Sequence, residues 1–410
     1  MDLSPMNRLK CSLYGAIVAG ACLLSLSSGA EAAESIRVLL SADVLRLDIH
    51  SSNLLWATDA KGRRQALRTP AQIIAAGKGF LLNGVRRQTE QLTLHGGGQG
   101  LTLTFPRPTR KSKGGAAVLS GDSGTEVSVS GLIHLVRKDK GFLVINQVDM
   151  EEYVKGVVPA EVSSAWHPEM LKAQAVAART YALYQQKLSA AREYDVAATV
   201  QDQVYRGKQG VDAAILRAIE ETRGLVVTFQ DAPIYAAFSS TAAGLTEDAT
   251  YVWSKEYPYL KGVECPFDLM SPYFQWKSSF KIDTLEQNLR EQGFPVGTIA
   301  TITPLSFSRG GRVATLRVLH SDGELVLRGE ELRKSVGYTI IPSTQFSIES
   351  IGQDVVLSGY GAGHAVGMCQ WGAKELAELG YPFSMILRYY YPGTELQNMT
   401  LTKAPTPPSS

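Results

Sequence analysis

Basic clusters are missing from this chain. Its 41 Lys and Arg stand against 39 Asp and Glu, for a formal charge of +2, and no block of like charge breaks the mixture. The five Trp do not interleave with cationic residues, so nothing argues for nucleic-acid binding, and a near-neutral surface suits a sugar polymer at least as well. Histidine is also scarce, at six, and no two lie at ligand spacing, which leaves no His-based metal motif. Internal repeats are absent. Long apolar runs are absent too, except residues 13–28, and that run is shorter than the ~20 residues a bilayer span requires. Arg8 and Lys10 precede it and Ala30-Glu31-Ala32 follows it, the order of a secretory signal peptide spanning residues 1–32. The mature protein is therefore expected outside the cytoplasm, in the periplasm or cell-wall space, with no stable membrane span after cleavage; the alternative reading of the same segment is an uncleaved membrane anchor. Only two cysteines, Cys265 and Cys369, follow that segment.

What is present falls into two textures, and the expected fold class is α+β. Residues 33–127 read as β-rich: 36–40, 79–82, 91–94 and 101–105 are short strand-like runs separated by polar or glycine-rich turns such as Gly96-Gly97-Gly98. A hairpin is expected over 131–136 and 141–146, closed by Lys138-Asp139-Lys140. Helix signals then begin. Asp149 with Glu152 three residues on reads as a capping box, and the helix it opens is expected to stop near Gly156, with Pro159 forcing extended backbone before Glu161. His167-Pro168-Glu169 starts a second, Ala-rich helix running to about Gln186. Glu161 is thereby expected in a loop braced between two helix ends. Further helices are expected over 212–223, 370–379 and 383–390, strands over 225–229 and 234–238, and a disordered tail over 399–410.

A lone positioned carboxyl is chemically suggestive. A carboxylic acid in a partly dry pocket, with its pKa raised, can deliver a proton to a glycosidic oxygen. Most glycosidases add a second carboxylate about 5 to 10 Å away.

Residues 149–184, DMEEYVKGVVPAEVSSAWHPEMLKAQAVAARTYALY, closely resemble the signature of the stage II sporulation protein D / amidase enhancer (SpoIID/LytB) family. A second match is GYGAGHAVGMCQWGA at 359–373, followed by YYYPGT at 389–394. Weaker matches at 201–207, 222–229 and 329–337 extend the resemblance over roughly 130–396, and a SpoIID-like catalytic core is expected over 128–398. The resemblance implies a peptidoglycan lytic transglycosylase, which cuts the MurNAc–GlcNAc bond of denuded strands and leaves 1,6-anhydro-MurNAc ends. In that reaction the C6 hydroxyl of the muramyl sugar attacks its own C1, so one Glu suffices, and the position it occupies is Glu161. The substrate cleft would be completed by Gly363, His364, Gln370 and Trp371, with Arg179 and Tyr181 as further binding candidates; these last two lie two apart on a helix and cannot share a face, and Arg179 is the one expected to pair with a carboxylate. Lys172 and Gln174 are expected to face water or neighbouring loops. No cofactor is implied. The partners are glycan strands and, in the alternative reading, a peptidoglycan amidase that the protein would activate without cutting. A structural or simple carbohydrate-binding module ranks third.

Three departures from the family pattern matter. Ser239 stands where the family often has His in a segment with which some members bind zinc, and Ser and Thr are poor zinc ligands. Ala365 replaces a Gly after His364, narrowing that loop by a methyl. Cys369 stands where Ser is more common, and for Cys265 and Cys369 in an exported protein two readings stay open with equal weight, a disulfide or two buried free thiols. Closing so long a loop contributes about 4 to 5 kcal/mol on the chain-entropy model.

Overall fold

The computed structural model describes residues 34–98, 100–106 and 125–399, and the signal segment and the tail beyond 399 lie outside them. The expected hairpin forms: strand Leu132–Lys138 pairs antiparallel with Gly141–Asp149, closed across Lys138 and Gly141. Strand Ser35–Val44 pairs on the other edge of Gly141–Asp149, from Ser35 opposite Asp149 to Val44 opposite Phe142. These three strands lie side by side in a seven-stranded sheet that also takes in Val196–Ala197 at one edge and Gln91–His95, Leu55–Asp59 and Arg64–Leu67 on the other side. A six-stranded sheet formed by Thr125–Val129, Leu101–Phe105, Arg46–His50, Ala71–Ala76, Gly79–Leu82 and Val85–Arg87 accompanies it. Alternate residues such as Leu47 and Ile49, or Leu101 and Leu103, are buried, as one covered face of a sheet requires. Phe80 and Phe142, from the two sheets, meet edge to face at 5.6 Å. The boundary expected at residue 127 therefore does not coincide with a break in the core, since strands on both sides of it share one sheet and one set of buried side chains.

Among the described residues eight helices follow, α1 Met150–Glu161, α2 Pro168–Leu188, α3 Ala213–Glu221, α4 Ala249–Trp253, α5 Ile282–Glu291, α6 Gly329–Val336, α7 Gln370–Glu378 and α8 Phe383–Tyr390. Helix α2 is the axis of the second half. Its alanines 173, 175, 177, 178 and 182 are all fully buried, so α1, α3, α7, α8 and strand Leu225–Phe229 pack against it from several sides. Small side chains let neighbouring backbones approach closely, and an all-round buried helix needs no polar face.

Helix α1 differs from expectation. It runs through Gly156 and Pro159 and ends at Glu161, with the Val162 amide bonded to the Val158 carbonyl at 3.0 Å. Gly156 is there for space, not as a stop: a Cβ would come within 2.5 Å of the Tyr205 ring and 2.6 Å of the Gly207 carbonyl. Pro159 falls in the last turn, where its missing N–H forfeits a single ladder bond. Only half of the capping box forms. Asp149 accepts from the Glu151 and Glu152 amides, while the Glu152 side chain turns to Lys155 and Ser130. The strand expected over 234–238 is also interrupted. Only Ala232–Pro233 and Phe238–Ser239 pair, because the amides of Ala236 and Ala237 bond two residues back, to Ile234 and Tyr235.

Residues 275–360 build a second hydrophobic core that the sequence reading passed over. Strands Gln275–Lys281, Phe346–Ile351 and Asp354–Tyr360 form one sheet, and Ile299–Phe307, Val313–His320 and Gly323–Arg328 another, around Leu285, Leu316, Val318, Leu327 and Leu357 with α5 and α6. The chain leaves and re-enters the first core on either side of this insert, through the segments carrying Cys265 and Cys369.

Candidate active site

The position of Glu161 follows from α1. As the last helical residue it is fixed by the ladder behind it, and its carboxyl projects toward the segment after α2, where Oε1 accepts the Val204 amide at 2.9 Å. The Gln370 side chain, at the first position of α7, supplies a second hydrogen bond. Arg206 lies within electrostatic range. The residue is half-buried, reachable from solvent but crowded on most sides. Desolvation is the dominant influence and raises its pKa above the ordinary carboxylate value, against the lowering effect of both donors and Arg206.

Around it the structure joins three segments that are far apart in sequence. The motif at 201–207 contributes the Val204 amide and two supporting groups: Gln203 accepts from the fully buried Tyr153 hydroxyl at 2.9 Å, and Asp202 accepts from the Tyr181 hydroxyl at 2.7 Å and the Ala197 amide at 2.8 Å. Asp202 is thus engaged by the protein. Gln370 donates to Gln174 at 3.3 Å, and both are buried, so Gln174 faces this site and not solvent as expected. Lys172 instead bridges Glu169 and Glu221. Trp371, next to Gln370 in α7, meets Trp166 edge to face at 5.1 Å, and both remain partly exposed. A further aromatic group, Tyr184, Tyr235 and Trp253, is also half-buried, with Tyr235 touching both neighbours at 5.3 and 5.0 Å. The sequence offered no periodic signal for it.

Several expected substrate contacts are placed elsewhere. Arg179 is 1% exposed and holds Glu151 through two bonds of 2.9 and 2.7 Å, donating a third to the Leu225 carbonyl. It pairs with a carboxylate, as its helix position implied, but inside the core and away from any opening. Tyr181 is buried and committed to Asp202. In His364, Nδ1 accepts the Val366 amide at 3.0 Å, and the Phe238 backbone also lies against the ring, so Nδ1 is taken up within the turn. Desolvation, with Arg333 and Arg312 nearby, lowers its pKa to about 3, and the ring stays neutral against Trp253 at 5.0 Å. Gly363, at φ +95°, accommodates Ser239, whose Cβ a side chain there would meet at 2.6 Å. Ala365 sits in the left-handed region at φ +61°, a conformation that suits the glycine usual at this place.

Residues 239–241 do not fit a zinc ion. Ser239 and Thr241 are buried hydroxyls, Thr241 bonded to Ser271 at 2.6 Å, and neither is a competent zinc donor. Of the two readings open for the cysteines, the structure shows the second: Cys265 and Cys369 are free, buried thiols. Burial, with Cys265 and Asp268 beside it, pushes the Cys369 thiol well up. The Cys369 sulfur is occupied with other partners, accepting from the Ala242 and Gly372 amides and facing the Asp268 carboxylate at 3.2 Å.

Sequence comparison agrees with this assembly. The stage II sporulation protein (SpoIID) family profile matches residues 138–229, and a domain of unknown function (DUF8618) matches residues 266–367. The chain is 31% identical over 255 residues to an uncharacterized protein of Brachyspira hyodysenteriae, covering 62% of this chain and 68% of that one. It is 33% identical over 270 residues to stage II sporulation protein D of Bacillus subtilis, covering 62% of this chain and 75% of the relative. To the amidase enhancer of the same organism it is 32% identical over 288 residues, covering 59% of this chain and 40% of the relative. Among the described residues, no helix is long and apolar enough to cross a membrane.

Proposed function

The chain belongs to the SpoIID/LytB family of peptidoglycan-associated proteins, and from that premise we propose that it is an exported lytic transglycosylase of the glycan strand. Glu161 is the general acid and then the base. The observation that carries this reading is the state of that carboxyl: it is desolvated enough to hold a proton above the usual carboxylate range and oriented by Val204 and Gln370, yet open to a ligand. Protonated Glu161 delivers its proton to the glycosidic oxygen as the C1–O bond breaks. The carboxylate so formed takes the proton of the C6 hydroxyl as that oxygen closes on C1, and Glu161 ends as it began. Two features favour this over hydrolysis. The reaction needs no second carboxylate, and Asp202, the acidic residue of the 201–207 segment, is tied to Tyr181 and Ala197. Trp166 and Trp371, the second adjoining Gln370, offer partly exposed rings for sugar faces.

The second reading is non-catalytic, an amidase enhancer that binds glycan and activates a peptidoglycan amidase; the similarity to a relative bearing that name favours it. One experiment separates them. Chain lacking residues 1–32 is incubated with denuded and with intact peptidoglycan, and products are examined by mass spectrometry for 1,6-anhydro-muramyl ends, beside Glu161→Gln. Anhydro ends from the wild type and at least a 100-fold loss in the variant support catalysis. No anhydro product from either substrate, together with stimulation of an added amidase, supports the enhancer. Equal cleavage by Glu161→Gln removes Glu161 from its role.

A further inference from the structure

Where the 266–367 segment joins the first core, three donor side chains converge that the glycan reading does not use. The Cys265 and Cys369 sulfurs and one Asp268 carboxylate oxygen all lie within 4.8 Å of one another, and all three residues are at most 1% exposed. Cys265 and Asp268 come from the outgoing strand of the neck, in Cys265-Pro266-Phe267-Asp268, and Cys369 from the returning one. We propose that this cluster is a structural site for a soft divalent transition-metal ion, of which zinc is the representative, fastening the inserted segment to the catalytic core.

Four observations support it. First, the donor set, two thiols and a carboxylate, matches what zinc takes, with Zn–S near 2.3 Å and tetrahedral donors therefore about 3.8 Å apart. Separations within 4.8 Å are closed by side-chain rotation of about 1 Å. Second, the Gly372 amide reaches the Cys369 sulfur at 3.4 Å, and the Ala242 amide, whose main partner is Asp268, is shared with that sulfur at 3.3 Å. A neutral thiol is a poor acceptor, and N–H contacts to sulfur are the outer-shell pattern that orients a thiolate ligand. Third, Asp268 uses only Oδ2, which takes the Ala242 and Ala243 amides at 2.7 Å each, while buried Oδ1 has no hydrogen-bond partner. An oriented carboxylate with one orphaned oxygen is a ligand awaiting a cation. Fourth, Gly372 makes the room: a Cβ there would stand 2.5 Å from the Cys265 sulfur and 2.3 Å from the Tyr390 hydroxyl.

The loaded site keeps one net negative charge. Binding M²⁺ releases two thiol protons to solvent and leaves a centre of charge −1, formed by two thiolates, one carboxylate and the ion. Arg312 is buried and donates to the Ala242 and Leu245 carbonyls beside the cluster, sharing its charge with Glu247 at 3.9 Å. The fourth coordination position falls to water or to the Tyr390 hydroxyl, which is 3.3 Å from the Cys265 sulfur. No redox step is involved. Since Cys369 is the N-cap of α7 and Gln370 is its first residue, the ion would also hold the donor that orients Glu161.

The test reads metal and not cleavage, so it stands or falls apart from the glycan reading. Reduced full chain is dialysed with zinc, and bound metal is counted by inductively coupled plasma mass spectrometry; cobalt(II) is then substituted and the near-ultraviolet thiolate-to-metal charge-transfer band recorded. One equivalent of zinc and a cobalt–thiolate band are expected. Cys369→Ser and Asp268→Ala should each weaken zinc binding by more than the about 10- to 100-fold that losing an outer-shell partner costs, while Ser239→Ala leaves it unchanged. The wild-type count and spectrum decide the matter even if a variant fails to fold. The proposal is overturned if the reduced wild type binds no zinc and shows no band, whether the thiols then titrate as two free groups or the untreated chain has an intact mass lower by two hydrogens, as a disulfide.

Discussion

Removing Arg179 should cost stability and leave ligand affinity alone. The guanidinium is 1% exposed, donates to both Glu151 oxygens at 2.9 and 2.7 Å and to the Leu225 carbonyl at 2.9 Å, and ties α2 to α1 and to strand Leu225–Phe229. In Arg179→Ala, Glu151, itself 8% exposed, keeps only the Gly224 amide at 3.2 Å among these partners. Breaking one side of a buried pair costs about 3 to 5 kcal/mol, because the surviving charge stays desolvated without its partner. With a urea slope of about 3 kcal/mol per molar, the midpoint should fall by about 1 to 1.7 M, read by far-ultraviolet circular dichroism. Arg179→Lys should recover little, since an ammonium cannot span both oxygens and the Leu225 carbonyl together. Replacing both partners, as Arg179→Leu with Glu151→Leu, should recover most of the loss by removing the stranded charge. A midpoint shift below about 0.3 M with weakened glycan binding would refute the reasoning and return Arg179 to the substrate cleft.

Two further perturbations are informative. Gly156→Ala sets helix propensity, which favours Ala by about 1 kcal/mol, against a Cβ at 2.5 Å from a buried tyrosine ring and 2.6 Å from a backbone carbonyl. Overpacking costs about 1 to 3 kcal/mol, so the melting temperature should fall; a rise would show that Tyr205 can move aside. Glu161→Gln should be more stable than the wild type at pH 7. The folded state raises this pKa above 4.5, so between 4.5 and the raised value the native protein binds more protons than the unfolded chain, and stability declines as pH climbs through that window. The variant lacks this decline, and the two melting temperatures should converge below about pH 4; a gap independent of pH would mean that Glu161 is not desolvated.

The sequence carried the local grammar well. Pro168 after His167 marked the start of α2, Asp212 capped α3, and the hairpin over 131–146 formed in place, because each signal depends on residues within one turn. It failed where a residue's reason lies at long range. Gly156 reads equally as a stop or as room for a ring, and only Tyr205, brought in from the 201–207 segment, decides between them. Gln174 sits in a helix whose alanines are buried on every side, so no polar face told it from a surface residue. His364 looked like a donor in a glycine-rich turn, and its ring is instead desolvated and neutral against Trp253, a neighbour brought in from α4.

The electrostatics of Glu161 bear on whether this chain cuts or only binds. A module that merely holds glycan gains nothing from a desolvated acid; polar side chains at the rim would serve, and the fold would be spared the loss of stability above pH 4.5. Here the costly arrangement is supported by parts from three distant segments: α1 ends on the residue, Val204 arrives from the loop after α2, and Gln370 arrives from a helix capped by Cys369. Site-directed removal of such a group commonly exchanges function for stability. Glu161→Gln gaining stability at neutral pH while losing anhydro-sugar formation would be the signature of an acid kept for its chemistry, whereas a gain in stability with glycan binding and amidase stimulation intact would mark it as a remnant.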